Sequence, residues 1–179
     1  MTRARSVGGA SRPTGQPGGV AAVVRPGEGE LGRLRPLGAA QVRITGGFWG
    51  ERQATNRTRT IPHGFDRLQA TGTLGNLRLA AGMSGKYAAL TDSSGAQFPF
   101  LDTDVYKWLE AVGWELGHGA DPEMAAMADE AIAIIAGAQR DDGYINSFVQ
   151  VLGGGAPFKD LEWGHELYCI GHLIQAAIA

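Results

Sequence analysis

The sequence predicts an all-α fold built from antiparallel helix pairs. Three observations carry the prediction. Apolar residues recur at spacings of three and four over two long segments, as they do on one face of a helix. Cap and proline signals mark the helix starts. Alternating strand-like patterns are nearly absent. With 44% apolar residues in 179, the chain can build a core. It holds 28 Gly and 8 Pro, yet shows neither a Gly-x-y period nor a sustained heptad, which excludes collagen and coiled coil.

Residues 1–40 hold nine Gly, four Pro and six Arg, a composition that reads as a disordered leader. Gln41-Val42-Arg43-Ile44 alternates polar and apolar, so a short strand is expected to open the ordered part. Gly46-Gly47 then gives a turn before Phe48 and Trp49. From Glu51 to Gln69 the pattern is helical, and Pro62 should split or kink it near Thr60. Gly72 and Gly75 are expected to end it. Asn76 to Ala81 reads as another helical turn, and Met83 to Gln97, rich in Gly, Ser and Asp, as a loop.

A strong helix starts at Asp102, with Asp102 or Thr103 as N-cap. Its stripe is Val105, Trp108, Leu109, Val112 and Leu116, closed by Gly117 and Gly119. Asp121-Pro122-Glu123 supplies a cap, a proline at the first helical position and an acid in the first turn. The stripe Met124, Ala128, Ala131, Ile135, Ala138 follows. Asp141-Asp142-Gly143-Tyr144 is a turn. Ile145 to Val151, β-branched and aromatic, is expected to be extended, Gly153 to Gly155 to be loop, and Glu162 to Ala179 the last helix. That helix carries no Gly stop signal and no basic last turn. Its apolar face needs a partner, and the expectation is that the fold's natural length exceeds 179 residues.

The formal charge is −2, with ten basic and sixteen acidic residues in 41–179, which argues against nucleic acid as a main partner. No window of about 18 apolar residues suggests a membrane span, and residues 8–19 lack the apolar stretch of a signal peptide. A single cysteine, Cys169, excludes an intrachain disulfide. A cytoplasmic location is expected.

His165, Cys169 and His172 share one helical face and could hold zinc; the alternative is two helix histidines around a buried thiol. His165-Glu166 fails the His-Glu-x-x-His signature, because position 169 is Cys. Asp102 and Asp104 can bind a cation or sugar hydroxyls, or cap their helix. Aromatics near loop carboxylates line carbohydrate clefts, while a core accounts for most of them equally well; Trp163 beside His165 is the one best placed for a site.

Four stretches in order resemble the N-terminal part of glycoside hydrolase family 127, the β-L-arabinofuranosidases. They are Ile44-Thr45-Gly46-Gly47-Phe48-Trp49, the run Asp102 to Glu110, the run Ala138 to Ile145, and His165-Glu166-Leu167-Tyr168 with Gly171-His172. The resemblance spans roughly 41–179. It implies an (α/α)6 barrel, of which this chain is a partial one, followed by β-domains in much longer chains. It also implies a retaining mechanism with a zinc-bound cysteine thiolate as nucleophile and a glutamate acid/base, unlike the usual carboxylate pair. In the family those groups and the other zinc ligands lie later than the part matched here. Zinc is therefore expected in full-length relatives, with its ligands absent from this chain, and Cys169 takes no nucleophile role. His165 matches a histidine of the family's sugar pocket, and Asp102, Asp104 and Trp163 are candidates for the same wall. The expectation is a piece of an arabinoside-acting domain, inactive alone. Two alternatives remain: a non-catalytic helical interaction module, binding a partner or a second copy through an open apolar face, and a small zinc protein using His165, Cys169 and His172.

Overall fold

The computed structural model describes residue 34 and residues 36–38, 41–153 and 156–179, and its regular elements are helices. The leader expected over 1–40 lies almost wholly outside the described residues. Helix α1 (Gly47–Thr55) runs through a π-helical turn (Asn56–Thr60) into α2 (Ile61–Ala70); α3 is Thr73–Ala80, α4 Asp102–His118, α5 Pro122–Ala138, α6 Ser147–Leu152 and α7 Glu166–Ile178. Among the described residues the one β-type pairing is an isolated bridge, Thr91 with Gln97, inside the expected loop.

Helix α4 is the hub. It packs against α2, α3, α5 and α7, with α7 its most extensive neighbour. The predicted residues Val105, Trp108, Leu109 and Val112 are buried there, and all five stripe residues of α5 are buried with them. Asp121 caps α5 as expected, its carboxylate accepting the Met124 N–H at 3.1 Å.

The kink expected near Thr60 is resolved without a break. Pro62 has no N–H to return to the preceding turn, and the helix widens into the π turn just before it. One residue of that turn, Arg57, reaches the far end of α4. Its guanidinium donates to the Glu115 carboxylate at 3.1 Å and to the carbonyls of Glu115, Gly119 and Ala120 at 3.2, 2.9 and 3.0 Å. Asp121 adds an ion pair at 3.6 Å. The orphan carbonyls at the C-terminus of α4 and those of the connection to α5 are thus tied to the π turn through one cation. Further along, Gly64 is required by close approach: a Cβ there would lie 2.9 Å from the Trp108 ring, whose indole N–H donates to the Ile61 carbonyl at 2.9 Å.

Several expectations are corrected. Gln41–Ile44 forms no strand, since no neighbouring strand offers it a ladder; Val42 and Ile44 are exposed beside α1. Gly72 ends α2 in a left-handed conformation, φ 83°, but Gly75 sits inside α3 and Gly117 inside α4. Residues 147–152 are helical rather than extended, because Asn146 caps them by accepting the Val149 N–H at 2.9 Å. The last helix starts at Glu166, four residues later than expected.

Replacing Arg57 by Ala leaves the buried Glu115 carboxylate and three carbonyls without their donor. Urea titration is expected to show a loss of about 2–4 kcal/mol. Arg57→Lys, with a point charge instead of a fork, should recover less than half of it.

Candidate sugar-binding wall

The sequence candidates gather at the α4–α7 face, though not all in the same way. Asp102 is turned inward and 1% exposed. It does not cap α4, since the N-cap position is Leu101 and no side chain caps it. Its carboxylate instead accepts the Ser147 N–H at 2.7 Å and a short hydrogen bond from the Ser147 hydroxyl. Burial pushes the Asp102 carboxyl above its ordinary range, partly offset by those two bonds. The residue joins the start of α4 to the start of α6. Asp104, two positions on, is exposed beside Lys107.

His165 precedes α7 with a left-handed backbone, φ 49°. Its ring stands edge-on to Phe100 at 5.1 Å and to Tyr168 at 6.3 Å, and lies 6.0 Å from the Trp163 ring. Tyr168 is itself met by Lys107, whose Nζ lies 5.1 Å over its ring, and by His172, edge-on at 4.6 Å. The wall is therefore an aromatic row with a histidine and a lysine set into it. Trp163, 43% exposed, also lines a groove of about 630 Å³ together with Gln97, Phe148, Lys159, Asp160 and Glu166. Aromatic faces bordered by few polar groups suit sugars, which offer C–H faces and hydroxyls.

Sequence reasoning missed Tyr168, Lys107 and Phe100. Tyr168 was legible: it stands four positions before His172, on one face of α7. Phe100 was not, since its approach to His165 depends on how α4 packs on α7.

The three zinc candidates do not form a donor set: Cys169 and His172 lie on α7, but His165 precedes it with a left-handed backbone, off the helical face the spacing suggested. Cys169 is 1% exposed, and its Sγ has the Asn146 amide at 3.8 Å. Burial, with the Asp102 and Glu166 carboxylates nearby, pushes its thiol up to about 12. Zinc binding needs the thiolate, so this environment disfavours it. His172 Nδ1 is buried without a hydrogen-bond partner, and the His165 ring is taken up by its aromatic neighbours. Among the described residues no three His, Cys, Asp or Glu side chains are grouped to hold a metal ion. Nor is any described helix long and apolar enough to cross a membrane.

Comparison with known proteins agrees with this arrangement of helices. A family model described as the β-L-arabinofuranosidase, GH127 catalytic domain matches residues 41–179. A non-reducing end β-L-arabinofuranosidase from Bifidobacterium longum subsp. longum is 34% identical over 155 residues, which is 77% of this chain and 23% of that protein. Two solved structures superpose well. One is a GH127 β-L-arabinofuranosidase from Geobacillus stearothermophilus T6, with TM-score 0.68 and 34% identity over 76% of this chain and 21% of that one. The other is a GH127 β-arabinofuranosidase, with TM-score 0.69 and 31% identity over 80% and 23%. The chain spans less than a quarter of the length of each of these relatives. A match that runs through every described helix, with the same fold in the solved relatives, makes this chain a member of glycoside hydrolase family 127, corresponding to part of its catalytic domain.

Proposed function

We propose that the chain forms part of the arabinofuranoside-binding wall of a retaining family-127 glycoside hydrolase domain, and that alone it does not hydrolyse glycosides. The observation that carries this is His165, held at the head of α7 among Phe100, Trp163 and Tyr168. His165 is the polar contact to a sugar hydroxyl, Trp163 offers a face, and Asp104 stands at the rim. Asp102 serves the wall from behind, through Ser147. No catalytic role falls to Cys169, since an interior thiol with a raised pKa supplies almost no thiolate at neutral pH. The relatives' activity on β-L-arabinofuranosides supports the substrate class. One cysteine and no disulfide fit a cytoplasmic setting.

A second reading, a helical interaction module, draws on a different feature. A groove of about 600 Å³ between α4, α5 and α7 is lined by Leu109, Val112, Leu116, Ile132, Ile135 and Leu173 among others. Such a face can take a partner or a second copy. Light scattering across a concentration series separates the readings: a monomer at all concentrations rejects self-association.

The main proposal is tested by titrating the chain with L-arabinose and a β-L-arabinofuranoside while following tryptophan emission. Millimolar binding is expected, weakened about tenfold or more in His165→Ala, with no sugar released. Hydrolysis by the chain that disappears in Cys169→Ala would reject it. A third expectation concerns Cys169 directly. Its thiol pKa rises from 9.0 unfolded to about 12 folded. The folded state thus holds this proton more tightly, so the contribution to stability is full below pH 9 and is lost as pH climbs from 9 towards 12. Iodoacetamide at pH 8 should label the folded chain on the order of a hundredfold more slowly than the urea-unfolded chain.

A further inference from the structure

The segment 158–165, leading into α7, brings Trp163 and His165 to the wall. Two non-glycine residues among the described ones have positive φ, and both bound this segment: Phe158 at 62° and His165 at 49°. Residues in that region persist only where their surroundings over-determine them. Here the surroundings converge on Glu166. Its side chain is buried, and the residue is 3% exposed. Both carboxylate oxygens accept the Phe158 N–H, at 3.0 and 2.9 Å, and one of them also takes a short hydrogen bond from the Tyr144 hydroxyl. The Tyr144 ring stands edge-on to the Phe158 ring at 5.6 Å, closing the same contact from the side.

Glu166 forms no salt bridge among the described residues. A buried carboxylate without a cation depends on its hydrogen-bond donors and on the helix N-terminus where it sits. Those donors lie upstream, on Tyr144 and Phe158, so the first residue of α7 grips the entrance of the segment that leads into it. Within the segment Asp160 supplies a second grip. Its carbonyl accepts the Gly164 N–H at 2.9 Å, and its carboxylate accepts the Trp163 N–H at 3.0 Å. Gly164 leaves no room for a side chain, because a Cβ would lie 2.4 Å from the Asp160 carbonyl oxygen. Neither grip touches the His165 ring, whose neighbours are Phe100, Trp163 and Tyr168.

We infer that Glu166 is the positioning residue of the sugar-binding wall: its buried carboxylate, bonded to Tyr144 and Phe158, sets the backbone that aims His165 and Trp163. The inference rests on the wall assignment proposed above, and the test separates the two. Glu166→Gln keeps the shape but replaces one acceptor with a donor that faces the Phe158 N–H. In the 179-residue chain, amide exchange at Phe158 is expected to speed up about tenfold or more, while exchange at Ala131 in the core stays within about twofold. The His165 imidazole resonances, set by the rings around it, should move, and Trp163 emission should become easier to quench. Tyr144→Phe, which leaves the Phe158 bonds intact, should give a smaller change in the same direction. Unchanged Phe158 exchange and His165 resonances would overturn the inference. So would an equal loss of protection at Ala131, which marks a general core role. In an L-arabinose titration, about tenfold weaker binding by Glu166→Gln than by the wild type supports positioning, and equal affinity rejects it. No binding by the wild type counts against the wall assignment, and the exchange data then decide the positioning claim.

Discussion

The fold depends on burying α4 from several sides at once. A helix with one buried face needs only an apolar stripe. One that meets α2, α3, α5 and α7 must bury polar positions too, and a buried charge among them needs a partner, although the Tyr106 hydroxyl of α4 goes without one. Two carboxylates show how this is met. Near its N-terminus Asp102 is satisfied by Ser147, and near its C-terminus Glu115 is satisfied by Arg57. The two partners are far apart in sequence, one at the start of α6 and the other in the π turn. The carboxylates of α4 thereby register elements that are remote in sequence.

That constraint explains which parts were legible in the sequence. The stripes of α4 and α5, the cap at Asp121 and the disturbance before Pro62 are local, written in spacing and residue type. The burial of Asp102 and Glu115 is not local. Asp102 at a helix start reads as a cap, and only Ser147, 45 residues away, shows otherwise. The same holds for residues 147–152. Their β-branched and aromatic composition argued for an extended segment, yet one capping asparagine and the packing of α6 on α3 prevail over intrinsic preference.

The site was legible in part, for a related reason. His165 and Trp163 stood out through a short motif, and the structure brings their rings within 6.0 Å of each other. Tyr168 follows from helical spacing. Glu166 carried no chemical signal beyond a failed metalloprotease pattern, because its partners are a tyrosine 22 residues upstream and a backbone N–H. Family resemblance singled out the stretches; side-chain geometry separates the exposed Trp163 and Tyr168 from the buried Glu166 between them.

The π turn between α1 and α2 has a consequence for how such a sequence can change. A π turn holds one residue more than an α-helical turn. Each residue advances a helix by about 100°, so the faces of α1 and α2 are offset by that extra step. Substitutions in Asn56–Thr60 alter side chains but keep the offset. A single-residue deletion there would restore a regular helix and rotate α1 bodily, carrying Phe48 and Trp49 to a different side of the molecule and taking Arg57 out of line with the end of α4. Chain length over these five residues is therefore constrained more tightly than their identity, Arg57 excepted.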